Sequence, residues 1–485
     1  MGGNRRSSQG WTLALTSASS MMVALDATVV ATALSRIRLD LNASIDQLEW
    51  TVNAYSLSFA VLLMTGAALG DRFGRRRVFT AGLGLFTAAS ALCALAPGIG
   101  WLIAARAVQG CGAAMVAPMA MALLSAAYPP DRRARALGIF SGVTGIAVVV
   151  GPLVGGAVTQ DLAWQWIFWL NVPLGAVGIP LILRRLPESR GPAGSVDIAG
   201  LVLVTGAALG LVWGLISANS AGWGSVRVDA ALAGGAALLL SFVLWERRAR
   251  APMVPLALFR SRGFAAGNAS ALFLYASLYG ALFFITQFLQ TGHGDRPLTA
   301  GLHMLAWSGG VTIVAPLAGA WAHRIGVRRL AATGLALQAG GMFWISLIAR
   351  PDLPYPQLIA PLLLAGCGVS MAMPAAQITV INAVAPAQIG KASGVFNTLR
   401  QFGGVLGIAV LAPVFTAAGG YASPRTFTDG FTVAIAVCGG LSLAGAFAGL
   451  AIPGTALRRV PVTASPANVP DGADVPARAA VNAME

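Results

Sequence analysis

Gly110-Cys111-Gly112-Ala113-Ala114-Met115-Val116-Ala117-Pro118 recurs 256 residues later as Gly366-Cys367-Gly368-Val369-Ser370-Met371-Ala372-Met373-Pro374. The same offset carries Pro130 to Pro386, Gly138 to Gly394, Phe140 to Phe396 and Gly151 to Gly407. Apolar helices resemble one another by chance, but an ordered series of Gly, Pro and Cys matches does not arise that way. At an offset of 252, Asp71-Arg72-Phe73-Gly74 matches His323-Arg324-Ile325-Gly326, each copy followed by arginines. Two related halves, in the same orientation, are therefore expected.

The surroundings of the repeat say what the halves are made of. Of 485 residues, 56% are hydrophobic and only 10% charged, against about 25% charged in a soluble domain. That is too little charge to cover a water-exposed surface, whereas lipid solvates apolar side chains directly. The 59 glycines suit helices that approach closely inside a bilayer. A span needs about 20 apolar residues. Fourteen such stretches are expected, at 11–34, 49–70, 78–96, 100–126, 135–158, 164–184, 197–218, 227–246, 264–289, 299–321, 328–348, 357–383, 391–416 and 429–452. The first continues past Val30, too long for a cleaved signal segment. The fold class expected is an all-α polytopic membrane protein. A six-helix bundle over 1–190, two inserted helices over 191–262, a second six-helix bundle over 263–453 and a disordered cytoplasmic tail over 454–485 complete the division.

Charge gives the orientation. With the N-terminus inside, the inner loops carry 24 of the 32 Lys and Arg and the outer loops six, as the preference of cations for the cytoplasmic side requires. Both termini are then cytoplasmic. The net charge of +15 thus sets topology and does not call for nucleic acid. Lys391 is the lone lysine, a bias of GC-rich bacterial coding, so a bacterial inner membrane is expected. Cys93, Cys111, Cys367 and Cys438 lie in apolar stretches at no metal-ligand spacing, so no metal and no cofactor are expected.

Further motifs bring a family into view. Leu25-Asp26-Ala27-Thr28-Val29-Val30, Leu69-Gly70-Asp71-Arg72-Phe73-Gly74-Arg75-Arg76-Arg77, Arg106-Ala107-Val108-Gln109-Gly110 and Gly151-Pro152-Leu153-Val154-Gly155-Gly156 occur in that order. So do Trp164-Gln165-Trp166-Ile167-Phe168-Trp169-Leu170-Asn171-Val172-Pro173 and Pro252-Met253-Val254-Pro255-Leu256-Ala257-Leu258-Phe259-Arg260. With these the chain resembles the major facilitator superfamily, and more narrowly its fourteen-span branch of proton-linked drug antiporters. It departs from the pattern at Ala67 and Ala147, where glycine is usual, and at His323, where the second copy of the loop motif loses its acid. The resemblance implies a substrate site between two bundles that rock about it, Asp26 in substrate or proton binding, Arg106 in proton transfer, and a loop latch built on Asp71, Arg72, Gly74 and Arg75.

The residues support a compatible reading. An ionisable side chain inside a span is costly and marks function by default. Asp26 is the only acid expected well inside a span, joined by Arg106, Arg400 and His303. At 1.5 Å per residue Asp26 lies about 12 Å, and Arg106 about 9 Å, from the outer side, so the two can pair. A purely structural ion pair is the alternative. Arg400 has no counterpart in the first copy and suits either a polar substrate group or packing; His303 is expected to be structural. Asp71 and Gly74 are expected to form a latch, Arg76 and Arg77 to set topology alone. Gly145, Gly151, Pro152, Gly155 and Gly156 would bring the fifth span close to a partner helix. Asn53, Tyr55, Gln109, Phe284, Gln287, Asn397, Arg400 and Gln401 are possible cavity residues.

The partners expected are a small-molecule substrate, protons and the bilayer, and a monomer is expected. The reading is a proton-coupled exporter of hydrophobic or amphipathic drugs. Its rivals are a dedicated exporter of one natural product, metabolite or peptide, and a non-transporting scaffold or sensor. An enzyme lacks its polar catalytic cluster here, and a nucleotide-driven pump its phosphate-binding loop.

Overall fold

The computed structural model describes residues 2–191, 197–222, 224–249, 252–385 and 388–454. They form α1 (Gly2–Asp40), α2 (Ile45–Phe73), α3 (Arg75–Ala94), α4 (Ile99–Ala127), α5 (Pro130–Asp161), the single turn α6 (Trp166–Trp169) and α7 (Asn171–Arg185). Next come α8 (Ile198–Ala221), α9 (Val226–Glu246), α10 (Arg262–Gln287), α11 (Pro297–His303) and α12 (Leu305–Ile325). The chain closes with α13 (Val327–Ile348), α14 (Pro356–Asn382), α15 (Ile389–Ala418) and α16 (Pro424–Leu450). No strand occurs among the described residues. The expected tail falls almost wholly beyond them, as does the side chain of His323.

Local sequence sets the helix ends. Ser44 caps α2 and exchanges hydrogen bonds with Gln47, a capping box. Gly74 lies between α2 and α3 with φ 111° and Gly326 between α12 and α13 with φ 90°, a left-handed region that glycine enters without a Cβ clash. The two ends of the 252-residue repeat thus make the same turn.

The longer repeat has a packing cause. A Cβ on Gly110 would collide with the Tyr55 carbonyl oxygen, and one on Gly366 with that of Trp307. A Cβ on Gly112 would meet the Gly82 carbonyl, and one on Gly368 the Gly334 carbonyl, both well inside van der Waals contact. Each copy therefore wedges one helix, α4 or α14, directly against two neighbours: α2 and α3 in one half, α12 and α13 in the other.

Thirteen helical segments among the described residues are long and apolar enough to cross a membrane. The expected span over 299–321 is not among them: it consists of α11 and α12, interrupted at Met304. There His303 bonds Asp295 at 2.6 Å and stacks on Tyr355, rings 3.5 Å apart. Hydropathy does not register such a break, because both pieces are apolar.

The two helices between the halves also find a place. On α8, Ala208, Val212 and Ile216 form one buried cluster with Leu57 and Val61 of α2 and Val405 and Ala409 of α15. The first inserted helix thus covers the line along which α2 and α15 meet, and α9 packs outside it.

Candidate functional site

Asp26 and Arg106 meet inside the first half, on α1 and α4, 2% and 1% exposed. Arg106 Nη1 donates to Asp26 Oδ2 at 2.5 Å and to Gln109 Oε1 at 2.7 Å. Gln109 Nε2 donates to Asp26 Oδ1 at 2.8 Å and to Ser90 Oγ at 2.7 Å. Asn171 Nδ2, at the start of α7, reaches Asp26 Oδ1 at 3.0 Å and Ser90 Oγ at 3.2 Å. Arg106 Nε donates to the Thr51 carbonyl of α2 at 3.2 Å. Its guanidinium lies 4.2 Å from the ring centre of Tyr55, whose hydroxyl donates to the Val23 carbonyl. The result is a closed polar network in which α1, α2, α3, α4 and α7 each supply a group. Both carboxylate oxygens are satisfied by donors, which is what allows an ion pair to be buried.

Ser90, Asn171 and the Thr51 carbonyl do not stand out in the sequence as site residues. Asn171 carries a signal, an amide directly after the apolar run 166–170. Ser90 and a backbone carbonyl carry none.

A second acid is buried as well, correcting the expectation that Asp26 is alone. Glu49 of α2 is completely buried. The expected span begins at residue 49, which makes Glu49 an edge residue. The capped helix begins four residues earlier, at Ile45, and Tyr421 of the second half lies within electrostatic reach of Glu49. One turn further on, Asn53 is also fully buried, with neither amide atom hydrogen-bonded.

The remaining candidate residues spread over several places. Phe284 and Gln287 of α10 are buried; Phe284 packs on Phe415, and Gln287 accepts the Tyr421 hydroxyl. Asn397 donates to its own helix at Ser393. Arg400 lies 5.5 Å from the Tyr275 ring centre, and its Nε has no partner. Gln401 is buried.

The loop motif is tied within the first half. Asp71 and Arg75 form an ion pair at 2.8 Å, and Arg72 lies over Phe73. Arg76 does more than set topology: its backbone N–H donates to Glu188 at 2.9 Å and its guanidinium to the Leu183 and Leu186 carbonyls. These are the free carbonyls at the end of α7, where a cation is favoured.

On α5, a Cβ at Gly151 or Gly155 would collide with Thr28 or Thr32 of α1. One at Gly156 would collide with the Pro297 carbonyl oxygen, while one at Gly301 would stand 2.5 Å from that of Pro152. So α5 is pressed between α1 and α11, across the boundary between the halves. Gly145 takes no part, with nothing within 4 Å of a Cβ there; it lies too far along α5 from α11. At the same end Gln290 donates to the Thr32 carbonyl, Leu298 N–H to Gln160, and Arg38 covers the Tyr421 ring at 4.6 Å. The halves are thus joined at the end that holds the α1–α2 turn.

The profile of the Major Facilitator Superfamily matches residues 16–265 and 268–480. The chain belongs to that superfamily. Among similar members, the tetracenomycin C resistance and export protein of Streptomyces glaucescens is 36% identical over 413 residues, 84% of this chain and 76% of that one. The cephamycin export protein CmcT of Amycolatopsis lactamdurans is 38% identical, over 85% of this chain and 86% of its own. The multidrug resistance protein Stp of Mycobacterium tuberculosis is 36% identical, over 84% and 76%. A solved peptide transporter, POT, shares the fold with a TM-score of 0.68 at 15% identity, covering 91% of this chain and 94% of that one. This major facilitator protein is therefore a multi-span membrane transporter.

Proposed function

We propose that the chain is a proton-coupled exporter of hydrophobic or amphipathic drugs or antibiotics, working by alternating access in a bacterial inner membrane with both termini cytoplasmic. The observation that carries the coupling is the enclosed Asp26–Arg106 pair. Arg106 and two amide donors compensate an ionised carboxylate. A proton on Asp26 removes its charge and frees Arg106, so the two protonation states favour different arrangements of α1 and α4. A ligand drives a conformational change only through such a difference. The close approach of α5 to α11 supports the rocking part of the reading, since it gives one end of the molecule a tight, separable seal. The names of the relatives support export of antibiotics.

Two of those names specify an antibiotic, tetracenomycin C and cephamycin, which favours, as the second reading, a dedicated exporter of one natural product. The test is proton-gradient-driven movement of a fluorescent lipophilic compound in everted vesicles, native against Asp26→Asn. Movement by the native chain alone, at equal membrane insertion, supports proton-coupled export. Equal movement by both makes Asp26 structural. No movement across a broad compound panel favours the dedicated exporter.

A further inference from the structure

Both carboxylate oxygens of Glu49 are without a hydrogen-bond partner, although the residue is completely buried. An isolated buried carboxylate is among the costliest groups a protein can hold, unless it is neutral or paired. Among the described residues no cation forms an ion pair with it. Arg38 of α1 lies over the Tyr421 ring. Arg106 reaches the carbonyl of Thr51, two residues along α2, but is committed to Asp26. Asp46, on the same helix, adds repulsion. Tyr421, on the α15–α16 link, is within electrostatic reach of Glu49, and its hydroxyl is given to Gln287 of α10. Burial first, then Glu49, push that hydroxyl above the ordinary phenol range, against the pull of Arg38. Tyr421 therefore supplies no charge to the site. The neutral acid is the form of Glu49 that fits this arrangement.

One neighbour within electrostatic reach of Glu49, Tyr421, comes from the other half of the molecule. Glu49 and Arg38 stand on α2 and α1; Tyr421 and Gln287 belong to the second half. Glu49 and the Arg38–Tyr421 contact thus lie at the end where the halves meet, and separation of the halves there would open Glu49 to water. We propose that Glu49 is a second proton-binding site, which takes up a proton from the outer medium as the outer end closes and returns it there on opening. This proton does not cross the membrane. It leaves the number of protons exchanged per substrate unchanged and makes closure depend on external pH, in contrast to the transported proton assigned to Asp26.

The inference rests on the alternating-access reading, and its test separates the two. Asp40 and Ala422 are exposed, on opposite sides of the outer seam. Cysteines placed there, with the four native cysteines replaced by serine, take spin labels whose separation reports closed and open populations in proteoliposomes. The comparison is made between Asp26→Asn and Asp26→Asn with Glu49→Gln, so that Asp26 and the histidines bonded to Asp295 contribute equally to both. One proton taken up on closing changes the closed-to-open ratio by up to about tenfold per pH unit. The expected result is that this slope is present with Glu49 and absent with Glu49→Gln, which stays closed at high external pH. Equal slopes overturn the proposal. A single distance at every pH, with or without substrate, overturns alternating access and this inference with it. A lowered proton-to-substrate ratio in Glu49→Gln means that the Glu49 proton is transported, and overturns its return to the same side.

Discussion

At the residue scale, the Asp26 network is a set of unequal supports. Arg106→Ala leaves a buried carboxylate without its cation, and removing one partner of such a pair costs about 3–5 kcal/mol. Asn171→Leu removes one neutral amide donor from Asp26 and Ser90, a loss of about 1–3 kcal/mol. Thermal unfolding of the detergent-solubilised chain is expected to rank native above Asn171→Leu above Arg106→Ala; the reverse order would mean that Arg106 is compensated from elsewhere. Asp26 and Arg106 were legible in the sequence because charges are so rare in its apolar stretches. Glu49 was not, since a charge at the edge of a span looks the same whether water or a second bundle covers it. Ser90 is an ordinary polar residue until the fold brings it to Gln109 and Asn171.

At the element scale, the glycines of α5 make the prediction. Gly156→Val forces a side chain into the Pro297 carbonyl, and overpacking of this kind costs about 1–3 kcal/mol, here charged only to the closed outer end. An added cysteine at Gln290 is expected to react faster with an impermeant maleimide from outside in this variant. Gly145→Val meets nothing within 4 Å and is expected to leave that rate unchanged. The sequence did not set Gly145 apart from the motif glycines Gly151, Gly155 and Gly156; the neighbour of each divides them. The broken helix at Met304 makes the same point. Both of its pieces are apolar, and at the break His303 contacts Asp295 and Tyr355, which lie outside the span in sequence.

At the scale of the whole molecule, α8 contributes to the seam between the halves. Val212→Asp puts a charge among Leu57, Val61, Val405 and Ala409, at about 2.5–3.5 kcal/mol for an acid at the centre of a span. A sharply reduced monodisperse fraction on size-exclusion chromatography is expected, and an unchanged profile would place α8 away from that seam. For the proposed orientation, a reporter fused after Glu485 is expected to be active only in the cytoplasmic form.

The sequence by itself determined the properties that depend only on composition and on order along the chain. Scarce charge requires a bilayer as solvent. The 256-residue repeat requires two like bundles, because close-packing glycines recur only where the same helix contacts recur. The motifs identify the superfamily. Only the tertiary structure decided the properties that depend on who lies opposite: that Asn171 and Ser90 complete the Asp26 pair, that α5 meets α11 through Gly156 and Gly301, and that Glu49 is enclosed without a partner. Burial and hydrogen bonding are properties of neighbours brought together from distant parts of the chain. No local pattern of residues contains them.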